Sequence, residues 1–190
     1  MFILCDTSSI LMLLRIAPDM FKDERFQCKT IREIHDEIVQ TNKFKTKYPW
    51  IKELRTGIRS IILNEEQKVK EKEFFEAIKL INDQGTKNLH TGRFFDLSRI
   101  DMRVLSHALT LDYKITSCDG DLVQFGYQEF GEDFKGNVFP LEIIIIWLES
   151  SVIQWSEEKQ IIIREWIQNE PSQPEDTKRK FKKITGNLWE

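Results

Sequence analysis

The sequence opens MFILCDTSSILMLL, in which Phe2 to Cys5 form an unbroken apolar run that stops at Asp6 and gives way at once to helical spacing. A short, continuously apolar run of this kind suits a strand buried on both faces, as in a parallel sheet covered by helices. The pattern recurs. Phe26 to Lys29, Arg59 to Asn64, Tyr113 to Cys118 and Gly136 to Phe139 each read as a strand, and each is followed by an apolar stripe at helical spacing. The stripes are Ile10, Leu11, Leu13 and Leu14, capped by Ser8 or Ser9 and ended by Pro18; Ile31, Ile34 and Ile38; Val69, Phe74, Phe75, Ile78 and Ile81; Val104, Leu105 and Ala108; and LEIIIIWLES, where Pro140 suits a first helical turn. Strands alternating with helices predict an α/β fold built of parallel βαβ units around a central sheet of about five strands.

A chain of 190 residues suits one core with appendages. The core domain is expected over residues 1–150, a helical extension over 151–170 with Ser156 as its cap, and a flexible basic tail over 171–190 that includes Lys178 to Lys183. The formal charge of -3 gives no overall attraction to nucleic acid, so binding there would rest on local basic patches or bound cations. Cys5, Cys28 and Cys118 are odd in number, widely spaced and without a CxxC pair, and read as buried thiols in a reducing compartment. Phe139 to Leu148 contains Pro140 and Glu142 and falls short of the roughly 20 apolar residues of a membrane span. No basic start precedes the apolar stretch at Phe2, so a cytoplasmic protein without a membrane association is expected.

In an open parallel sheet, ligands collect outside the carboxyl ends of the strands. Asp6 and Asp119 fall at such ends, and Asp121 follows two residues later. Asp101 continues the Val104, Leu105 and Ala108 stripe at the start of its helix, and Glu33 opens an earlier helix with Asp36 and Glu37 one turn on. Two unit charges about 4 Å apart repel by about 4 kcal/mol at an effective dielectric near 20, so gathered carboxylates must bind a cation or take up protons. Oxygen ligands without cysteine or histidine suit magnesium or manganese, and the matching chemistry is metal-assisted attack of water on a phosphodiester. Each acid also has a local reading. Ser98-x-x-Asp101 and Thr30-x-x-Glu33 have the form of capping boxes, and Asp6 and Asp119-Gly120-Asp121 suit tight turns. His35, His90 and His107 share no spacing that makes a metal site or an acid–base pair.

Taken together, ILCDTSSIL, TIREI, LSRIDMRVLSHAL and ITSCDGDL resemble the four motifs of the PIN-domain nucleases, a family that includes VapC-like ribonucleases. The resemblance spans roughly residues 1–150 and implies a three-layer α/β/α fold and cleavage of single-stranded or structured RNA with magnesium or manganese. It implies Asp6, Glu33, Asp101 and Asp119 as the metal-binding catalytic acids, Asp121 as a weaker ligand, and Ser117 and Thr7 in support. Glu37 lies on the same helical edge as Glu33 and is the alternative second acid. As partners it implies an RNA substrate, an antitoxin-like protein and a second copy of the chain, with roles as a toxin or in RNA processing both open. The 42–57 segment and everything after residue 150 exceed the compact toxin-type members.

Within NKFKTKYPWIKELRTG, the residues Lys43, Phe44, Lys45, Lys47, Tyr48 and Trp50 interleave cations and aromatics. Such a stretch either holds phosphates and stacks unpaired bases, or is a solvated helix with its aromatics packed on the core. Rival folds with acids at strand ends lack their defining residues here. A receiver domain needs a lysine after its last strand, where Pro140 and Leu141 stand, and a haloacid-dehalogenase-type phosphatase needs Asp-x-Asp, where Asp6 is followed by Thr7 and Ser8. The remaining alternative is the same fold with a lapsed site, kept as a scaffold that binds RNA or protein.

Overall fold

A computed structural model describes residues 1–167 and 173–187. The architecture is α/β and mostly helical, around a small parallel sheet. Strand β1 (Ile3–Cys5) lies at its centre between β2 (Cys28–Lys29) and β3 (Lys114–Thr116), with Ile3 opposite Cys28 and Lys114. All of β1 is buried, as its continuous apolar run requires.

Of the five strands expected, these three form ladders and the other two meet the sheet at one residue each. Thr30 bridges Ser60 beyond β2, and Ile115 bridges Asn137 beyond β3, both in parallel. At the first edge the 59–64 stretch leaves Ile62 91% exposed, so its apolar residues are not all drawn onto the sheet. At the second edge the backbone bonds from Ile115 to Gly136 and from Val138 to Ile115 are continued by a side chain. The Asn137 amide brackets Ser117, accepting from its N–H at 2.9 Å and donating to its carbonyl at 3.1 Å.

Helices α1 (Thr7–Leu13), α2 (Arg32–Gln40), α3 (Asn42–Lys47), α4 (Ile51–Leu54), α5 (Glu65–Asp83), α6 (Arg99–Leu111), α7 (Gly120–Phe130), α8 (Pro140–Glu149), α9 (Glu157–Ile167) and α10 (Glu175–Thr185) follow in chain order. The isoleucine run is helical, with Pro140 in the first turn of α8. The 42–57 segment forms α3 and α4 on either side of Tyr48-Pro49, as its sequence predicts. Helix α6 packs on β1 and β3 and carries α5 on its outer side, while α1 packs against α2 and α8. The core is continuous from Leu4 and Ile10 through Leu105 and Ile115 to Ile144 and Trp147, whose indole N–H donates to the Phe26 carbonyl.

Within the tail expected to be flexible and basic, the basic cluster lies on α10, which packs on α8, with Phe181 fully buried edge-on against Trp155 at 5.1 Å. One buried ring per three turns, flanked by lysines, is an amphipathic pattern that charge alone obscures. The expected boundary near residue 170 and the tail residues 171–172 and 188–190 lie outside the described residues. No helix among the described residues is long and apolar enough to cross a membrane.

Candidate active site

At the end of β1 the chain turns at Asp6, which caps α1. Its Oδ1 accepts the Ser9 amide at 2.7 Å, and the Ser8 hydroxyl lies 3.0 and 3.1 Å from its two oxygens. The neighbouring strand ends are fastened around it. The Asp6 amide and the Ser9 hydroxyl both donate to the Thr116 carbonyl, and the Thr30 hydroxyl donates to the Cys5 carbonyl. Asp6 is only 8% exposed. Burial pushes its carboxyl above the ordinary value, against the bonds from Ser117, Ser9 and Ser8 that favour the ionised form.

Asp119 follows β3 and caps α7, its Oδ1 accepting the Asp121 and Leu122 amides at 2.8 and 3.2 Å. The Ser117 hydroxyl accepts the Asp119 amide at 3.0 Å and lies beside Asp6, so one buried serine ties the two acids together. Asp101 closes a capping box with Ser98, its Oδ2 accepting the Ser98 amide at 3.0 Å. Its carboxyl is raised by burial first, held down by the Ser98 bonds, and raised further by the charge of Asp119. The capping and site readings of these acids therefore coincide: each carboxylate is anchored by its own helix start, where the helix dipole favours negative charge.

Asp6, Asp101, Asp119 and Glu37 line one cavity of about 450 Å³, together with Thr7, Ser8, Ser98 and Cys118. Glu37 is held by the Thr7 hydroxyl, which donates to its Oε2. No lysine, arginine or histidine among the described residues lines this cavity, so its acids face one another without a cationic side chain. The donor set is all hard oxygen, which fits magnesium or manganese in type and charge. No three His, Cys, Asp or Glu side chains among the described residues already stand close enough to hold one ion together. An ion would be held by Asp6 and Asp119, with Asp101 and Glu37 across the same space.

Two expected ligands lie elsewhere. Glu33 is exposed at the start of α2, and faces Arg103 at 3.8 Å across a separate cavity of about 650 Å³. The expected Thr30–Glu33 capping box does not form, because the Thr30 hydroxyl is spent on the Cys5 carbonyl and Ile31 takes the cap position. The acid one turn on, Glu37, occupies the place expected of Glu33. Asp121 accepts the Asn88 amide at 3.0 Å and is not on the wall that carries Asp119. None of the three histidines lines the acidic cavity, and no disulfide joins the three cysteines, of which Cys118 is half-buried.

The second cavity is built around Glu71. Burial would raise its carboxyl, but bonds from His107, Ser106 and Arg103 outweigh that and hold it at about 2. Arg103 Nη1 lies 2.8 Å from both carboxylate oxygens, with its guanidinium 3.9 Å from the Phe75 ring centre. Asn137 is a positioning residue that the sequence motifs do not single out, and Ser8, expected with Ser9 as a candidate cap of α1, instead holds Asp6, which is the cap. A polar amide inside an otherwise apolar edge strand is the only signal Asn137 gives.

Neither a comparison of the chain with protein-family models nor searches among curated proteins and solved structures found a match.

Proposed function

We propose that the chain is a magnesium- or manganese-dependent endoribonuclease with a PIN-like, three-layer α/β/α core. The observation that carries this reading is the convergence of Asp6, Glu37, Asp101 and Asp119 on one cavity at the carboxyl end of a parallel sheet, with no cationic side chain among the described lining residues. The order from the Ser60 bridge through β2, β1 and β3 to the Asn137 bridge supports the wider sheet as well. The reading puts Glu37 in the second acid's role in place of Glu33.

When bound, a divalent cation supplies charge neutralisation at the phosphodiester oxygens and an activated water. The protein's part is positional. Asp6 and Asp119 are fixed by their caps and by Ser117, Asp101 is fixed by Ser98, and Glu37 by Thr7, so that the carboxylates need little reorganisation around the scissile bond. Roles as the toxin partnered by an antitoxin-like protein, or in RNA processing, fit the same chemistry, with the chain in the cytoplasm in either case, and both are compatible with a homodimer.

A second reading, a lapsed scaffold that binds RNA or protein without cutting it, is favoured by the capping role that Asp6, Asp101 and Asp119 each already fill at their own helix starts. Incubation of the purified protein with RNA separates the two. Cleavage that requires manganese or magnesium, stops with chelator, and is lost in Asp6→Asn and Asp119→Asn proteins with unchanged circular dichroism is the expected result. RNA binding without cleavage in either metal supports the scaffold.

A further inference from the structure

The proposed reaction makes no use of the aromatic segment that follows α2, yet two of its rings open onto the catalytic cavity. Phe44 and Tyr48 line the wall with Leu11 and Ile100, facing the same space as Asp6, Glu37, Asp101 and Asp119. The Phe44 and Tyr48 rings lie 6.4 Å apart at 26°, and Trp50 continues the row at 5.8 Å from Tyr48. All three are half-buried, their bodies packed against the core. Lys47 Nζ lies 5.1 Å from the centre of the Tyr48 ring. The cavity thus brings carboxylates together with aromatic and aliphatic carbon, and its volume falls in the range of sites that enclose a single small ligand.

A sugar–phosphate backbone makes no use of an apolar wall, whereas a nucleobase does. Bases that are free of a duplex can be splayed out and stacked on aromatic faces, with little dependence on which base is offered. We propose that Tyr48 and Phe44 form a stacking platform for an unpaired base beside the cleaved phosphodiester, the feature of this chain through which the single-stranded RNA that the PIN resemblance implies is held in preference to duplex. This rests on the ribonuclease reading above and names the residues that hold its substrate. The platform sits on the α3–α4 segment, directly after the helix that supplies Glu37, so the acid and the ring that flank the substrate come from one continuous stretch of chain.

The test uses the full chain carrying Asp119→Asn, so that binding is read without cleavage, and a single-stranded RNA oligonucleotide containing 2-aminopurine. Binding quenches the probe's fluorescence, and Tyr48→Leu, which keeps apolar bulk but not the stacking face, weakens affinity by about 5- to 100-fold. Phe44→Leu acts in the same direction, Tyr48→Trp restores binding, and the same sequence as a duplex binds at least about tenfold more weakly. Folded Tyr48→Leu protein with unchanged affinity and quenching, or equal affinity for duplex, overturns the platform. Cleavage by a chain with otherwise native residues whose Tyr48→Leu form retains its KM for single strands also overturns the platform and leaves the nuclease standing. Tyr48-dependent binding by a chain that cuts no RNA in either metal leaves the platform and overturns the nuclease.

Discussion

Asp6 shows what a buried acid costs the fold that holds it. A carboxylate 8% exposed, with donors around it but no described cationic partner, is less stable charged than it would be in water. Its folded carboxyl titrates above the ordinary 3.8, so the folded protein keeps a proton that the unfolded chain releases as pH rises just past that value. Stability from this group therefore falls with rising pH across that window, and the full penalty is present at neutral pH. Asparagine caps a helix about as well as aspartate. In chelator at pH 7, Asp6→Asn is expected to raise the melting temperature by roughly 2–4 °C, for a gain of about 1 kcal/mol, while abolishing RNA cleavage. A lowered melting temperature would show that the buried charge is compensated. The position of Asp6, Asp101 and Asp119 was legible because strand ends and helix caps have a local grammar. The choice of Glu37 over Glu33 was not, since residues one turn apart share a helical edge and differ only in how far along it they reach.

Between elements, the α5–α6 contact is pinned by Glu71, which joins Arg103, Ser106 and His107 across the two helices. Nothing in the spacing of EEQKVKEKEFF distinguishes Glu71 from the solvated acids beside it; its burial follows from where α6 packs, which is a tertiary fact. The carboxyl is held at about 2 against an ordinary 4.5, so its contribution is complete above 4.5 and is lost as pH falls from 4.5 towards 2. Glu71→Gln leaves Arg103 with only the exposed and more distant Glu33, at 3.8 Å, as a charge partner, and denaturant unfolding at pH 7 is expected to report a loss of about 1–3 kcal/mol. The same series repeated at falling pH is expected to show the variant and the parent chain converging below 4.5; a difference that stays constant with pH would place the effect elsewhere. The edge strands were over-read at this scale. RSIILN and GNVF have the composition of strands, but pairing also needs a partner in register, and Asn137 supplies part of it with a side chain. The helix within the basic tail leaves little trace in the sequence, because a single buried ring, Phe181, gives almost no apolar signature.

At the scale of the whole molecule, two strand ends, three helix starts and the α2 edge arrive at one cavity, although their acids lie between positions 6 and 119. That convergence, more than any single motif, supports a metal-dependent nuclease. It also makes a claim about which acid of α2 takes part. Titration of manganese(II) into the metal-free protein, followed by electron paramagnetic resonance, measures this directly. The account predicts a bound ion whose affinity falls on the order of tenfold or more in Asp119→Asn and in Glu37→Gln, and is unchanged in Glu33→Gln. No binding by the unsubstituted chain, or a loss in Glu33→Gln with none in Glu37→Gln, would contradict it.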